Sequence, residues 1–256
     1  MPGEAWHRRS NTEDMAEPNK DYWRREKTID YDRRQDVLIP RKDELLDTIV
    51  DFIPFAPKDQ LRILDVGAGQ GALSERILNK FPRARVCLFD ASNEMLNIAE
   101  QRLNSFSDRF STVIGDFNTP DWPKQTHEPF DAIVSAISLH YLKTQCRALF
   151  FNTVFSALKV PGCFVNGGAF RSRNAFIQYR SDTGMMKYVQ KRLRDTEGIH
   201  VPIQKLRERI KKESQIAGVN RFFLSEQSDL LEQAGFFHVE VVWRYLFMAV
   251  VVAYKE

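Results

Sequence analysis

Asp65 opens the run DVGAGQGA, in which Gly67, Gly69 and Ala72 fit the spacing GxGxxG/A behind the apolar segment Arg62-Ile63-Leu64-Asp65-Val66. A glycine turn between a strand and a helix offers backbone N–H groups and a helix N-terminus to a ligand. The glycines alone do not separate a dinucleotide site from other nucleoside sites. Asp65 does: its carboxylate would repel a pyrophosphate resting on the turn and would suit a ligand that carries an ammonium group. The next strand pattern, RVCLFD, ends in Asp90, where a carboxylate can accept both hydroxyls of a ribose. Met95 falls on the first turn of the following helix, where its thioether either lies against an adenine face or packs in the core.

A third acid, Asp116 in Gly115-Asp116-Phe117, can accept an adenine amino group while Phe117 flanks the ring. Three acids at three strand ends converge on the crevice where open α/β sheets bind ligands. S-adenosylmethionine has the ammonium that Asp65 wants, a ribose and an adenine for the other two, and no phosphate. On the acceptor side, His140 in SISLHYL has an ordinary pKa of about 6.5, suited to proton removal near neutrality. It is either a general base or a histidine that shapes the site. Tyr141 and Trp243 are candidates for the acceptor wall, or for core packing.

These residues need a frame. Helical spacing of Leu45, Ile49, Phe52 and Ile53 in RKDELLDTIVDFI predicts a helix stopped by Pro54 and Pro57. Strands are predicted at 62–66, 85–90, 112–115, 130–136 and 163–166, with helices at 72–81, 94–104 and 144–158, the last closed by Pro161-Gly162. Five such units imply a parallel sheet covered on both faces. Residues 171–217 read as a long, polar helical insert, followed by a helix at 226–233 and strands at 237–242 and 246–254. The link between those two strands is too short for a crossover helix, so they pair antiparallel.

Length and composition fit one domain of 256 residues, 43% hydrophobic and 28% charged. A net charge of only +3 argues against nucleic acid as a partner. Cys87, Cys146 and Cys163 form no CxxC pair, so neither a disulfide framework nor a metal site is expected. With no apolar N-terminal core and no run long enough to span a bilayer, a cytoplasmic protein away from membranes is expected. Residues 1–30 read as a flexible arm ahead of a domain over 31–256.

From about Tyr31 onward the chain resembles the class I S-adenosylmethionine-dependent methyltransferases. LDVGAGQG, LFD, GDF, FDAIVSAISLHYL and LKVPGCFVNGG carry the resemblance. The resemblance implies a Rossmann-like seven-stranded sheet, mostly parallel with an antiparallel last strand. It places Asp65, Gly67, Ala68, Gly69, Asp90, Ala91, Met95, Asp116, Phe117 and Ser135 on cofactor positions. YDRRQDVLIPRKDEL and the W…F…VVVAYK ending narrow the likeness to bacterial small-molecule methyltransferases related to carboxy-S-adenosylmethionine synthase, in which Tyr31 and Arg34 would belong to a segment covering the cofactor. Such synthases carry an arginine four residues before the AGF turn. This chain has Leu230 there, which favours ordinary S-adenosylmethionine.

The insert at 171–217 is then the expected acceptor lid. Between Arg171 and Lys212 it holds twelve Lys and Arg against four acids, either to attract an anionic small-molecule acceptor or simply as a solvated face. Three functions stay open: methyl transfer to a small molecule, carboxy-S-adenosylmethionine synthesis for tRNA wobble-uridine modification, and non-catalytic binding of S-adenosylmethionine. An NAD-linked dehydrogenase is disfavoured by Asp65. The oligomeric state is not specified.

Overall fold

The computed structural model describes residues 31–126 and 129–256; the side chains of residues 31–34 and of Pro123, and the arm expected over 1–30, lie outside it. Helices α1 (Tyr31–Leu38) and α2 (Lys42–Asp51) precede β1 (Arg62–Val66), α3 (Ala72–Lys80), β2 (Arg85–Asp90), α4 (Asn93–Arg102) and β3 (Phe110–Ile114). A short α5 (Trp122–Gln125) leads to β4 (Phe130–Ala136), α6 (Arg147–Ala157) and β5 (Leu158–Ala169). Helices α7 (Ala175–Glu197), α8 (Ile203–Ile216) and α9 (Leu224–Gln233) then precede β6 (Phe237–Tyr245) and β7 (Met248–Lys255).

The sheet runs β3-β2-β1-β4-β5-β7-β6. Its first five strands are parallel and β7 is antiparallel to both neighbours, as the sequence led us to expect. Alternation along β1 explains the two cores. Ile63 packs with α2, α3 and α4 on one face, and Leu64 and Val66 pack with α6 and α9 on the other. Asp65 shares a face with Ile63, which turns it toward α3. Because the chain leaves β1 and β4 in opposite directions across the sheet, a crevice opens beyond their C-terminal ends.

One boundary differs from expectation. Pro161-Gly162 does not stand between helix and strand: α6 ends at Ala157 and β5 begins at once at Leu158. Phe130 pairs with Leu158 but Ala132 with Cys163, so residues 159–162 bulge out of the ladder, where a proline without an N–H is tolerated. Within the helical insert the chain forms two helices. Gly198, at φ +66°, caps α7, with its N–H on Arg194 O, and Pro202 precedes α8.

The connection from α8 to α9 is fixed by a buried arginine. Arg147, 4% exposed, donates from Nη1 to Glu226 Oε1 (2.6 Å) and from Nη2 to Asn220 O (2.7 Å), and lies 3.7 Å above the Phe222 ring. Breaking a buried ion pair by removing one partner typically costs ~3–5 kcal/mol; Glu226 keeps some contact with water, so Arg147→Ala is expected to cost about 3 kcal/mol. Urea denaturation checks this, and a loss below about 1 kcal/mol would mean that the contact does not hold the connection.

Candidate active site

At the end of β1, the Gly67 and Ala68 N–H groups donate to Phe89 O (2.7 and 3.1 Å), which curls the turn back over β2. Gly69 N–H donates to Asp90 Oδ2 (2.9 Å) and Ser92 N–H to Asp90 Oδ1 (2.9 Å), so both carboxylate oxygens are aimed by backbone donors. Burial raises the Asp90 pKa, against the pull of those N–H groups. Each oxygen keeps a lone pair for a ribose hydroxyl.

Asp65 is 1% exposed. Its Oδ2 accepts from Ser74 Oγ (2.7 Å), while Oδ1 is buried with no partner among the described residues. Burial pushes its pKa up to about 7, against the Ser74 hydrogen bond and with a further contribution from Asp90. An unpartnered acceptor in such a place fits a ligand donor, and the ammonium of S-adenosylmethionine supplies one.

The glycines divide by cause. Gly67 has φ +70°, and a Cβ there would fall 2.3 Å from Ser138 Cβ, so the protein itself fills that space. Gly69 has φ +53°, and a Cβ there would meet nothing within 4 Å. The space above Gly69 is therefore open for a ligand. Phe117 closes the other side, 3.6 Å from the Cβ position of Gly67 and edge-on to Phe150 with ring centroids 6.0 Å apart. Asp116 and Ala91 are exposed, whereas Met95 is 3% exposed.

Ser135 does not reach the crevice as expected. It is fully buried, and its hydroxyl lies 2.9 Å from Val66 O and 2.7 Å from Ser138 Oγ, which is itself 2.9 Å from Val66 O. Ile137, directly after β4, has φ +55° and donates its N–H to Gly167 O (2.7 Å). A β-branched residue at positive φ is strained, and such strain gathers at functional sites. Tyr31 and Arg34 fall among the side chains outside the description.

Beside the crevice lies a pocket of about 180 Å³ between the ends of β4 and β5, the β6–β7 turn, α1, α7 and α8. His140 and Tyr141 line it, with ring centroids 4.2 Å apart. His140 Nδ1 is buried without a partner among the described residues, and burial, assisted by Arg221, pushes the His140 pKa down to about 3. The imidazole is neutral in the free protein and a weak proton acceptor, so the expectation of a base poised near neutrality does not hold there. Trp243 is not in the pocket. It lies on the edge strand β6, packs toward the α2 core and donates from Nε1 to Glu44 Oε1 (3.0 Å).

Sequence reasoning missed Ile137, Ser138 and Arg221. Ser138 stands in SISLHYL, but its contact with Gly67 is long-range. Arg221 follows the insert whose charges drew attention, alone between Asn220 and Phe222. Among the described residues no three His, Cys, Asp or Glu gather as metal ligands, and no helix is long and apolar enough to cross a membrane.

The two glycines should separate stability from binding. Gly67→Ala combines a left-handed backbone with overpacking and is expected to cost about 3 kcal/mol. Gly69→Ala carries only the backbone cost, about 1 kcal/mol, yet should weaken binding of S-adenosylmethionine at least tenfold, a threshold of ~1.4 kcal/mol. Urea denaturation and calorimetric titration read the two effects; Gly69→Ala with native affinity would remove the ligand from this turn.

Residues 63–162 match the family described as "Methyltransferase domain". The chain is 28% identical over 149 residues to malonyl-[acyl-carrier protein] O-methyltransferase 1 of Ilyobacter polytropus, covering 58% of this chain and 50% of that protein. It is 20% identical over 227 residues to the carboxy-S-adenosyl-L-methionine synthase of Nautilia profundicola, covering 85% and 87%. Among solved structures, human N-acetylserotonin methyltransferase in complex with S-adenosylmethionine superposes with a TM-score of 0.58 at 17% identity, over 92% of this chain and 57% of that one. The pyocyanin biosynthetic protein PhzM gives 0.59 at 20% identity, over 89% and 59%. The matched region thus spans about half the length of the Ilyobacter relative. With the sheet order and the glycine turn already described, these matches show a methyltransferase domain at residues 63–162, in a chain that shares its fold with S-adenosylmethionine-dependent methyltransferases.

Proposed function

We propose that the protein transfers a methyl group from S-adenosylmethionine to a small molecule bound in the pocket beside the crevice. The observation that carries this reading is the buried, unpartnered Asp65 Oδ1 at the foot of an open glycine turn. Asp65 would hold the ammonium, Asp90 the ribose hydroxyls, and Asp116 and Phe117 the adenine. When bound, the cofactor supplies a methyl carbon already activated by a sulfonium, so the protein's task is alignment and exclusion of water. Ile137 and His140 follow β4 directly and join the crevice to the pocket; helices α7 and α8, the proposed lid, cover the pocket's outer side. No general base is assigned, because the neutral His140 is a weak one; an acceptor that arrives already deprotonated needs none.

A second reading is carboxy-S-adenosylmethionine synthesis, favoured by a likeness to the Nautilia protein that runs over most of both chains. Leu230 speaks against it: the side chain packs in the second core, where an arginine would have to hold a carboxylate. Incubation with methyl-labelled S-adenosylmethionine and a metabolite extract distinguishes the readings. Label in a new small molecule is expected; a heavier, carboxylated nucleoside formed with prephenate would favour the synthase. Label confined to carrier protein would point instead to a tethered acceptor, as the name of the Ilyobacter relative describes for that protein.

Asp65 also predicts a pH dependence. Its folded pKa of about 7 lies above the ordinary carboxylate value, so the folded protein holds the proton more tightly than the unfolded chain does. The associated stability is fully present below about pH 4 and is lost as pH rises toward 7. Only the ionised carboxylate pairs with an ammonium, so affinity for S-adenosylmethionine should rise up to about tenfold per pH unit below 7. It should level off above 7, then fall beyond about pH 8 as the ligand's α-amino group deprotonates. Asp65→Asn should flatten the rising limb and weaken binding. Calorimetric titration from pH 5.5 to 8.5, values chosen to bracket ~7, checks both; a flat wild-type profile would contradict the pairing.

A further inference from the structure

The walls of the pocket are mostly apolar: Leu38, Ile39, Ile137, Met185, Phe247 and Met248. Into this lining projects Arg221, whose guanidinium carbon sits 4.7 Å from the centroid of the Phe247 ring. Arg147 spends Nη1 and Nη2 on protein acceptors. Arg221 makes no hydrogen bond and no ion pair among the described residues. Asp182 acts on it only through space and is itself engaged by Gln178 Nε2 (2.9 Å), while Arg171 adds positive field. Glu213, on the pocket wall, is bridged by Arg209 at 3.0 Å.

The backbone that carries Arg221 is fixed on both sides. Asn220 N–H donates to His140 O (2.6 Å), Asn220 Nδ2 to Thr144 Oγ1 (2.9 Å), and Arg171 N–H to Phe222 O (2.6 Å), beside the Arg147 clamp. The arginine is therefore preorganised rather than left over on a loose loop. The bond from Asn220 to His140 also brings its carrier segment against the residue whose Nδ1 is unpartnered. N–H donors with no acceptor among the described residues, in a mostly apolar pocket, are costly unless a ligand uses them.

We propose that Arg221 anchors a carboxylate of the acceptor, so that the acceptor is a small molecule with an apolar body and one carboxylate group. The planar guanidinium fork matches a carboxylate in two parallel hydrogen bonds, and a single cation balances a single negative charge. The proposal rests on the methyl-transfer reading of the adjoining crevice.

Calorimetric titration with benzoate, phenylacetate and hexanoate, each against its amide, and with phenyl phosphate tests it, with and without S-adenosylhomocysteine present. At least one acid is expected to bind the wild type tenfold or more tighter than its amide, a gap of ~1.4 kcal/mol. Arg221→Met should abolish that preference, Arg221→Lys should restore part of it, and affinity for S-adenosylhomocysteine should be the same in all three proteins. Loss of a partly buried charge with no acceptor among the described residues should also leave the free Arg221→Met protein at least as resistant to heat as the wild type. Four results would overturn the proposal: no acid preferred by the wild type, a preference that survives Arg221→Met, phenyl phosphate preferred over every acid, or a lower melting temperature for Arg221→Met, which would make the arginine structural. Loss of S-adenosylhomocysteine binding in Arg221→Met would place the arginine on the cofactor instead. Failure of the wild type to bind S-adenosylhomocysteine would defeat the crevice reading and is separable, since the acid and amide series is also run without it.

Discussion

The Val66 carbonyl, at the last residue of β1, is the point where the two halves of the site are locked together. The Ser135 and Ser138 hydroxyls each approach it at 2.9 Å and each other at 2.7 Å, so two protons serve three contacts inside a buried triangle. Ser138 can lie there only because Gly67 has no side chain. The glycine turn that opens the nucleoside crevice and the segment that leads to Ile137 and His140 are thus fixed to one another. A shift of one moves the other, which is what in-line transfer between neighbouring sites requires.

Several polar groups of the site are left without protein partners among the described residues. Away from the site, Arg147 pairs through Nη1 and Nη2 and Asn174 caps its helix, while Arg147 Nε, Asn166 Oδ1, Arg192 Nε and Gln227 Nε2 are buried without partners among the described residues. Around the crevice and pocket, Asp65 Oδ1 and His140 Nδ1 are buried without partners among the described residues, Arg221 spends no donor on them, and Ile137 holds a strained backbone. Each is costly to the free protein, and each is explained if a ligand completes it. The costs are carried by the well-packed sheet, whose β1, β4 and β7 cores are almost wholly buried.

Much of the fold was legible because its signals are local. Alternating apolar residues and the acids at the ends of β1 and β2 set five parallel strands, and the short link before Met248 required the antiparallel hairpin. Asp65, Gly69, Asp90 and Phe117 came together as their strand-end positions implied. What failed was what depends on distant partners. Ser135 looked like a crevice residue but is taken by Val66 across 69 residues of chain. Trp243 looked like a pocket wall but faces Glu44, 199 residues away. The ordinary pKa of an isolated histidine suggested a base at His140, and only the packing around it and the nearby Arg221 push that value down. Arg221 itself carries no local signature: its meaning lies in the lack of an acceptor among the described residues around it.

The central claim is that the crevice between β1, β2 and β4 holds S-adenosylmethionine through Asp65 and Asp90. Calorimetric titration of S-adenosylhomocysteine into the wild-type protein and into Asp90→Ala at pH 7.5, just above the Asp65 pKa of about 7, tests it most directly. We expect one molecule bound per wild-type chain and none detectable in Asp90→Ala. No binding to the wild type, or equal binding to both proteins, would contradict the assignment.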